Sequence, residues 1–315
     1  MNKNAKIYVA GHRGMVGAAI LRELIKRGYT NIVHKTHSEL DLTRQTDVEQ
    51  FFDAERPEYV FLLAAKVGGI WANMSDKAGF CYENVMIGSN IVHSAYKFGV
   101  KKLLNTGSSC IYPAQVAQPI KEEYLLSGPL GETNDGYALA KILVLKLCQY
   151  YNENYNTNFL SVMPPNLFGS HDNFDLKTSH VLPALIRKIH DAKIANQSVT
   201  LWGDGSPYRE FMYVDDAAQA SLFIMENYTA ADIGGYINIG TGKEIMIKDL
   251  AQTIARIVGF KGEITWDTTK PNGTPRKLLS IEKLTKLGWK HSTSLNEGIH
   301  RTYNWFLEHY GDICE

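Results

Sequence analysis

Three glycines at the mouth of the first helix constrain this chain more than anything else in it. Ala5-Lys-Ile-Tyr-Val-Ala-Gly11 reads as a buried strand, and His12-Arg13-Gly14-Met15-Val16-Gly17 follows at once. Gly11 permits a tight turn there. Gly14 lets the backbone approach a pyrophosphate, which the helix N-terminus then binds. Gly17 allows close helix–sheet packing. The spacing is GxxGxxG rather than GxGxxG, and elsewhere it would be a plain structural turn. At a strand–helix junction it points to a dinucleotide.

The next 150 residues repeat the alternation. Strand-like runs fall at 31–36, 59–65, 101–107 and 159–164. Helical patterns fall at about 14–28, at 45–52 (capped by Thr43, ending before Pro57), at 80–98 and at 137–154. Short apolar runs alternating with helices imply an α/β chain built on a doubly wound parallel sheet of Rossmann type. After residue 165 the pattern loosens, with turn residues clustered at 165–173, 203–207 and 271–275. A strand-like run at 235–240 returns to the first lobe. The expected division is a dinucleotide-binding domain over 1–165 with a returning segment at about 211–240. A smaller C-terminal α/β substrate lobe then comprises 166–210 and 241–315.

Two helices are apolar nearly all round. One carries Phe80, Tyr82, Val85, Met86, Ile87, Ile91 and Val92; the other carries Leu139, Ile142, Leu143, Val144, Leu145 and Leu147. A surface helix keeps one polar face. Either the monomer buries both helices, or their copies in a homodimer cover them.

Charge and cysteine usage exclude other classes. The formal net charge is +0, which gives no electrostatic case for nucleic acid or an anionic membrane. No run reaches the roughly 18 apolar residues of a membrane span, and the N-terminus does not read as a signal peptide. Cys81, Cys110, Cys148 and Cys314 are widely spaced with no CxxC pair. They read as reduced thiols of a cytoplasmic protein, with no metal site.

The second strand ends His34-Lys35-Thr36-His37, where an NAD enzyme carries an acid for the ribose hydroxyls. Glu39 and Asp41 come later. Arg13, Lys35 and His37 suit a 2′-phosphate, so NADP is expected over NAD. Farther on, Tyr137 and Lys141 stand one helical turn apart on one face. A nearby ammonium stabilises a phenolate and lowers its pKa. Ser108, at the carboxyl end of the fourth strand, lies where such sheets place their ligand and suits a substrate carbonyl. Cys110 follows two residues later. By itself it is as well read as a small buried hydrophobe, and His180 as a helix-start histidine.

Eight segments together carry a resemblance: GHRGMVG (11–17), AAKVGGI (64–70), GSSCIYP (107–113), YALAK (137–141), NLFGSHDNF (166–174), SHVLPALIRK (179–188), REFMYVDD (209–216) and GTPRKLL (273–279). On these the chain resembles, from end to end, the extended short-chain dehydrogenase/reductases, and within them the GDP-L-fucose synthase family. The resemblance implies an NADPH-dependent enzyme that epimerises C3 and C5 of a GDP-4-keto-6-deoxy sugar and reduces C4. It assigns reduction to Ser108, Tyr137 and Lys141, and epimerisation to Cys110 and His180. It sets the cofactor against Gly11, Arg13, Gly14, Met15, Val16, Gly17, Lys35, His37, Asp41, Leu42, Leu63, Ala64, Ala65, Lys141, Pro164, Asn166, Leu167 and His180. It sets the GDP-sugar against Ser108, Ser109, Asn166, Lys188, Trp202, Arg209 and Lys277, with Arg187 competing for the role of Lys188. Two positions depart from the family pattern. Pro165 stands where threonine is frequent, and His37 where arginine is common, which weakens one phosphate contact. The competing readings are a C4 reductase of a related GDP-6-deoxy-4-keto sugar such as a heptose, and a non-catalytic NADP-binding regulator.

Overall fold

Alternation along each strand of the first lobe decides which helices cover which face. The computed structural model describes residues 1–270 and 272–314; Pro271, Glu315 and the side chains of Asp312 and Cys314 lie outside the description. The strands of the first lobe are β1 (Ile7–Ala10), β2 (Ile32–Val33), β3 (Tyr59–Leu62), β4 (Lys102–Thr106) and β5 (Phe159–Met163). The later strands are β6 (Asn166–Phe168), β7 (Val199–Trp202), β8 (Tyr208–Tyr213), β9 (Tyr236–Asn238), β10 (Glu244–Met246), β11 (Ile264–Asp267) and β12 (Arg276–Lys277). The helices used below are α1 (Met15–Lys26), α2 (Gln45–Glu55), α3 (Ile70–Ser75), α4 (Lys77–Lys97), α5 (Asp135–Tyr155), α6 (Val181–Ala195) and α7 (Val214–Asn227).

The first sheet is parallel in the order β2-β1-β3-β4-β5-β9. Ile7, Val9, Phe61 and Leu104 pack with α1 and α7 on one face. Tyr8, Val60, Leu62 and Leu103 pack with α2, α4 and α5 on the other. β9 is the return strand expected at 235–240 and pairs with β5. A buried sheet covered by helices on both faces is the arrangement that near-continuous apolar strands require.

Three local expectations change. The strand expected over 31–36 stops at Val33. From Thr36 the chain turns, with the Thr36 amide and hydroxyl donating to Glu39 at 2.7 and 2.6 Å. Thr43 does not cap α2. Its hydroxyl donates to Asp41 at 2.7 Å instead, and Arg44 takes the cap position. The helix expected over 80–98 begins at Lys77, because the Asp76 carboxylate accepts the Gly79 amide at 2.9 Å and caps it.

α4 and α5 cross closely because Gly88 has no side chain; a Cβ there would lie 2.1 Å from Val144 Cγ2. Their contact buries Ile91, Val92, Val144 and Cys148. It leaves Tyr82, Leu139, Leu143 and Tyr150 exposed.

In the second lobe β8 lies between β10 and β12 and also pairs with β6, while β7 pairs with β11. Within 241–315, Leu284, Leu287 and Trp289 pack into the first lobe's core. The buried Glu210 carboxylate accepts the amides of Thr241 at 2.6 Å, Gly242 at 2.8 Å and Leu279 at 2.9 Å.

Candidate active site

At the carboxyl end of β1 the turn is built as the glycines require. Gly11 has φ +88°, and a Cβ on it would sit 2.6 Å from the Ala64 amide nitrogen, so the chain leaving β3 through Leu63, Ala64 and Ala65 is pressed against this turn. A Cβ on Gly17 would fall 2.1 Å from the Gly11 carbonyl oxygen. The room Gly17 preserves is therefore for the turn itself. A Cβ on Gly14 meets nothing closer than 3.5 Å, so that side of the turn is open. Met15 and Val16 start α1 and are half-buried. Leu42 is anchored by its carbonyl, which accepts from Asn90 Nδ2 at 2.9 Å. The open cradle fits a dinucleotide pyrophosphate. One buried polar atom of this turn, His12 Nδ1, has no hydrogen-bond partner among the described residues.

β4 delivers the next group. Gly107 follows the strand and leaves room for Met163, whose Sδ would lie 2.3 Å from a Cβ there. Ser108 then caps a single turn over Ser109–Ile111, and its Oγ accepts the Cys110 amide at 3.2 Å. The buried Ser109 donates its amide to the Pro164 carbonyl at 3.0 Å, which locks this turn to the end of β5. The Ser108 hydroxyl also hydrogen-bonds the Tyr137 phenol. Lys141, one turn along α5, is buried and donates to the Thr106 carbonyl at 2.8 Å.

The proton affinities of this pair depart from the sequence expectation. Burial, reinforced by Cys110, pushes the Tyr137 phenol up, against the Ser108 hydrogen bond. Burial also lowers Lys141 to about 8. The ammonium lies 5.8 Å from the centre of the phenol ring and is spent on a backbone carbonyl. Tyr137 therefore stands protonated, as a proton donor must.

The second lobe reaches into this cluster from β8 and β12, where Lys277 and Arg209 are register partners. Lys277 Nζ lies 3.8 Å from Cys110 Sγ. Arg209, largely enclosed, also interacts electrostatically with Cys110. A cation at that distance stabilises negative charge on sulfur. The structure thus places Lys277, expected at a phosphate, against the thiol.

His180 occupies the cap position of α6 without using its side chain as a cap. The residue as a whole is exposed, but desolvation by the surrounding protein holds the imidazole pKa below the ordinary histidine value. The preceding residues touch the chain leaving β3: Gly69 donates to the Thr178 carbonyl at 2.8 Å. Asn166 and Leu167 start β6 opposite Phe211 and Met212. On α6, Lys188 Nζ lies 5.2 Å from the centre of the Trp202 ring. Arg187 points elsewhere and pairs with Asp191 at 2.7 Å.

Two residues of this area were missed. Lys270 Nζ lies 5.8 Å from the Trp202 ring centre. Asn272 Oδ1 accepts the Asp204 amide at 2.9 Å, tying the Trp202 loop to the segment whose Gly273 faces Arg209. The only sequence signal for either was the turn cluster at 271–275. No group of three or more His, Cys, Asp or Glu side chains able to hold a metal occurs among the described residues, and no described helix is long and apolar enough to cross a membrane.

Residues 7–240 match the NAD dependent epimerase/dehydratase family. A putative GDP-L-fucose synthase 2 of Arabidopsis thaliana is 54% identical over 309 residues, covering 98% of this chain and 93% of its own. A GDP-L-fucose synthetase from Naegleria fowleri, solved bound to NADP, superposes with a TM-score of 0.92 at 35% identity over 99% of this chain and 95% of its own. A GDP-6-OMe-4-keto-L-xylo-heptose reductase from C. jejuni gives a TM-score of 0.94 at 39% identity, covering 98% and 99%.

Proposed function

This chain belongs to the NAD dependent epimerase/dehydratase family, in the branch of the GDP-L-fucose synthases, and from that premise we propose that it converts GDP-4-keto-6-deoxymannose to GDP-L-fucose with NADPH. One observation carries the reading. The thiol of Cys110 belongs to the same hydrogen-bonded turn as Ser108, which holds Tyr137. Groups that hold a ketone oxygen and a group that exchanges carbon-bound protons thus occupy one place.

The chemistry needs that coincidence. A ketone at C4 acidifies the hydrogens at C3 and C5. Ser108 and Tyr137 hold the carbonyl oxygen and stabilise the enolate. Cys110 and His180 remove and return protons on the carbon skeleton, because both side-chain types exchange protons near neutral pH and an unactivated serine does not. Lys277 and Arg209 steady negative charge on the sulfur during the exchange. Bound NADPH supplies the hydride for C4. Tyr137 gives its proton to the C4 oxygen, and Lys141 fixes the helix register of the phenol through Thr106. Lys188, Lys270 and Trp202 form the cationic and aromatic surface for the GDP moiety.

The resemblance to the heptose reductase supports a second reading, C4 reduction of a related GDP-6-deoxy-4-keto sugar. The exposed face of Tyr82, Leu139, Leu143 and Tyr150 supports a homodimer. Reduced cysteines support a cytoplasmic setting.

One experiment separates the chemistries. GDP-4-keto-6-deoxymannose and NADPH are supplied to wild type, Cys110→Ser and Tyr137→Phe in D2O, and products are identified by NMR. The wild type should form GDP-L-fucose. Cys110→Ser should lose epimerisation by about 10²–10⁴-fold and release a reduced sugar that is not GDP-L-fucose. Tyr137→Phe should stop reducing while deuterium still enters C3 or C5. GDP-L-fucose at the normal rate from Cys110→Ser would remove the thiol from the mechanism; no turnover by the wild type, with turnover of a GDP-4-keto-heptose supplied in a parallel reaction, would favour the second reading.

A further inference from the structure

The tip of the cofactor cradle holds an arrangement that the proposed reaction does not use. The rings of His12, in the glycine turn, and His34, at the end of β2, stack with centroids 4.2 Å apart and planes 26° from parallel. His12 Nδ1 is buried with no partner among the described residues. In this fold the turn after β1 and the tip of β2 flank the adenine ribose, where the 2′ substituent is read.

Charges of both signs surround the stack, with Arg13 and Lys35 set against Glu39. Arg13 and Lys35 form no ion pair among the described residues. The nearby carboxylates are already engaged. Glu39 accepts the amide and hydroxyl of Thr36. Asp41, which faces His37, accepts the amide and hydroxyl of Thr43 and lies 3.8 Å from Arg44. Burial first, then His34 and Arg13, hold the His12 pKa below its ordinary value, against Glu39 and a backbone hydrogen bond to Lys35. His12 therefore stands neutral near pH 7 until an anion arrives. A dianion placed over it reverses the balance and favours a proton on the imidazoles.

We propose that the stacked imidazoles of His12 and His34 read the 2′-phosphate of NADPH by taking up a proton from solvent as it binds, so that discrimination against NADH weakens as pH rises. This rests on the NADPH reading above. Arg13 and Lys35 stay charged throughout, so a reduced preference persists at high pH. NADH carries a neutral hydroxyl at this position and draws no proton.

The test is equilibrium binding of NADPH and NADH by titration calorimetry at about pH 7 and about pH 9. The 2′-phosphate, with a second pKa of about 6, is already dianionic across that range. The ratio of the two dissociation constants should fall by about tenfold or more from the lower to the higher pH; one linked proton changes it by about tenfold per pH unit, so about 100-fold is the ceiling. Buffers of different ionisation enthalpy should report proton uptake with NADPH and none with NADH. His34→Leu should flatten the ratio and abolish the uptake, with thermal unfolding and circular dichroism as the check on folding; His12→Asn should do the same from the other side of the stack. A ratio well above one that stays constant with pH, without differential proton uptake, overturns the inference alone. A ratio near one at both pH values overturns the NADPH reading as well.

Discussion

Replacing Lys141 by methionine should change stability in a way that only a buried, uncompensated ammonium explains. Its pKa falls from 10.5 to about 8 because it is enclosed. At about 1.36 kcal/mol for each pH unit, that gap corresponds to about 3 kcal/mol of penalty on the charged form. The folded pKa lies below the unfolded one, so the unfolded chain binds more protons between about pH 8 and pH 10.5, and wild-type stability rises with pH through that window. At about pH 7 nearly the whole penalty applies; at about pH 9.5 about 1 kcal/mol remains. The variant carries no such penalty but loses the 2.8 Å hydrogen bond to the Thr106 carbonyl, worth about 1.5–3 kcal/mol to a charged donor. Near neutrality the two effects roughly cancel. Between the two pH values the variant should lose about 2 kcal/mol relative to wild type. Urea unfolding at both pH values measures it, and reductase turnover should fall by about 10²-fold or more at either. A stability difference that does not move with pH would refute the buried-ammonium argument.

Gly88→Ala should destabilise by about 1–3 kcal/mol through overpacking against Val144, although alanine is the better helix former. Adding Val144→Ala should recover most of the loss in thermal unfolding, whereas strictly additive losses would mean the helices do not meet there. Leu143→Glu together with Tyr82→Lys should leave the fold intact by circular dichroism and shift the sedimentation coefficient to that of a monomer; an unchanged oligomer would place the interface elsewhere.

The parts of the site that were legible in sequence are those whose geometry is local. Gly11, Gly14 and Gly17 share one turn, and Tyr137 and Lys141 one helical turn, so spacing alone fixes their relation. Ser108 was legible because a polar residue leaving a buried strand emerges at the ligand edge of a parallel sheet. What spacing cannot carry is a contact between distant segments. Lys277 reaches Cys110 across 167 residues, and which of Arg187 and Lys188 faces Trp202 depends on how α6 is rotated against its neighbours. The cap expected at Thr43 failed for a related reason: its hydroxyl had a closer acceptor in Asp41, and short polar side chains compete for their own backbone neighbourhood. The rise in the Tyr137 pKa was equally out of reach, since motif spacing shows the neighbouring ammonium but not how far the phenol is enclosed.

The distant contacts are held by a charge that never meets substrate. In β8 successive side chains alternate sides, so Arg209 and Glu210 face opposite ways. Glu210 is buried, and burial alone pushes its carboxyl up; the amides of Leu279, Gly242 and Thr241 work against that rise. Leu279 follows Lys277 by two residues, close enough that fixing one amide fixes the strand that carries the cation. Thr241 and Gly242 follow β9, the last strand of the dinucleotide lobe's sheet. One buried carboxylate thus ties the return strand, β8 and the segment after β12 together. The same three segments bring Arg209 and Lys277 to a thiol carried by the other lobe. A carboxylate held by three amides is costly to leave unpaired, so its anchoring role is stronger than that of any exposed ion pair between the lobes.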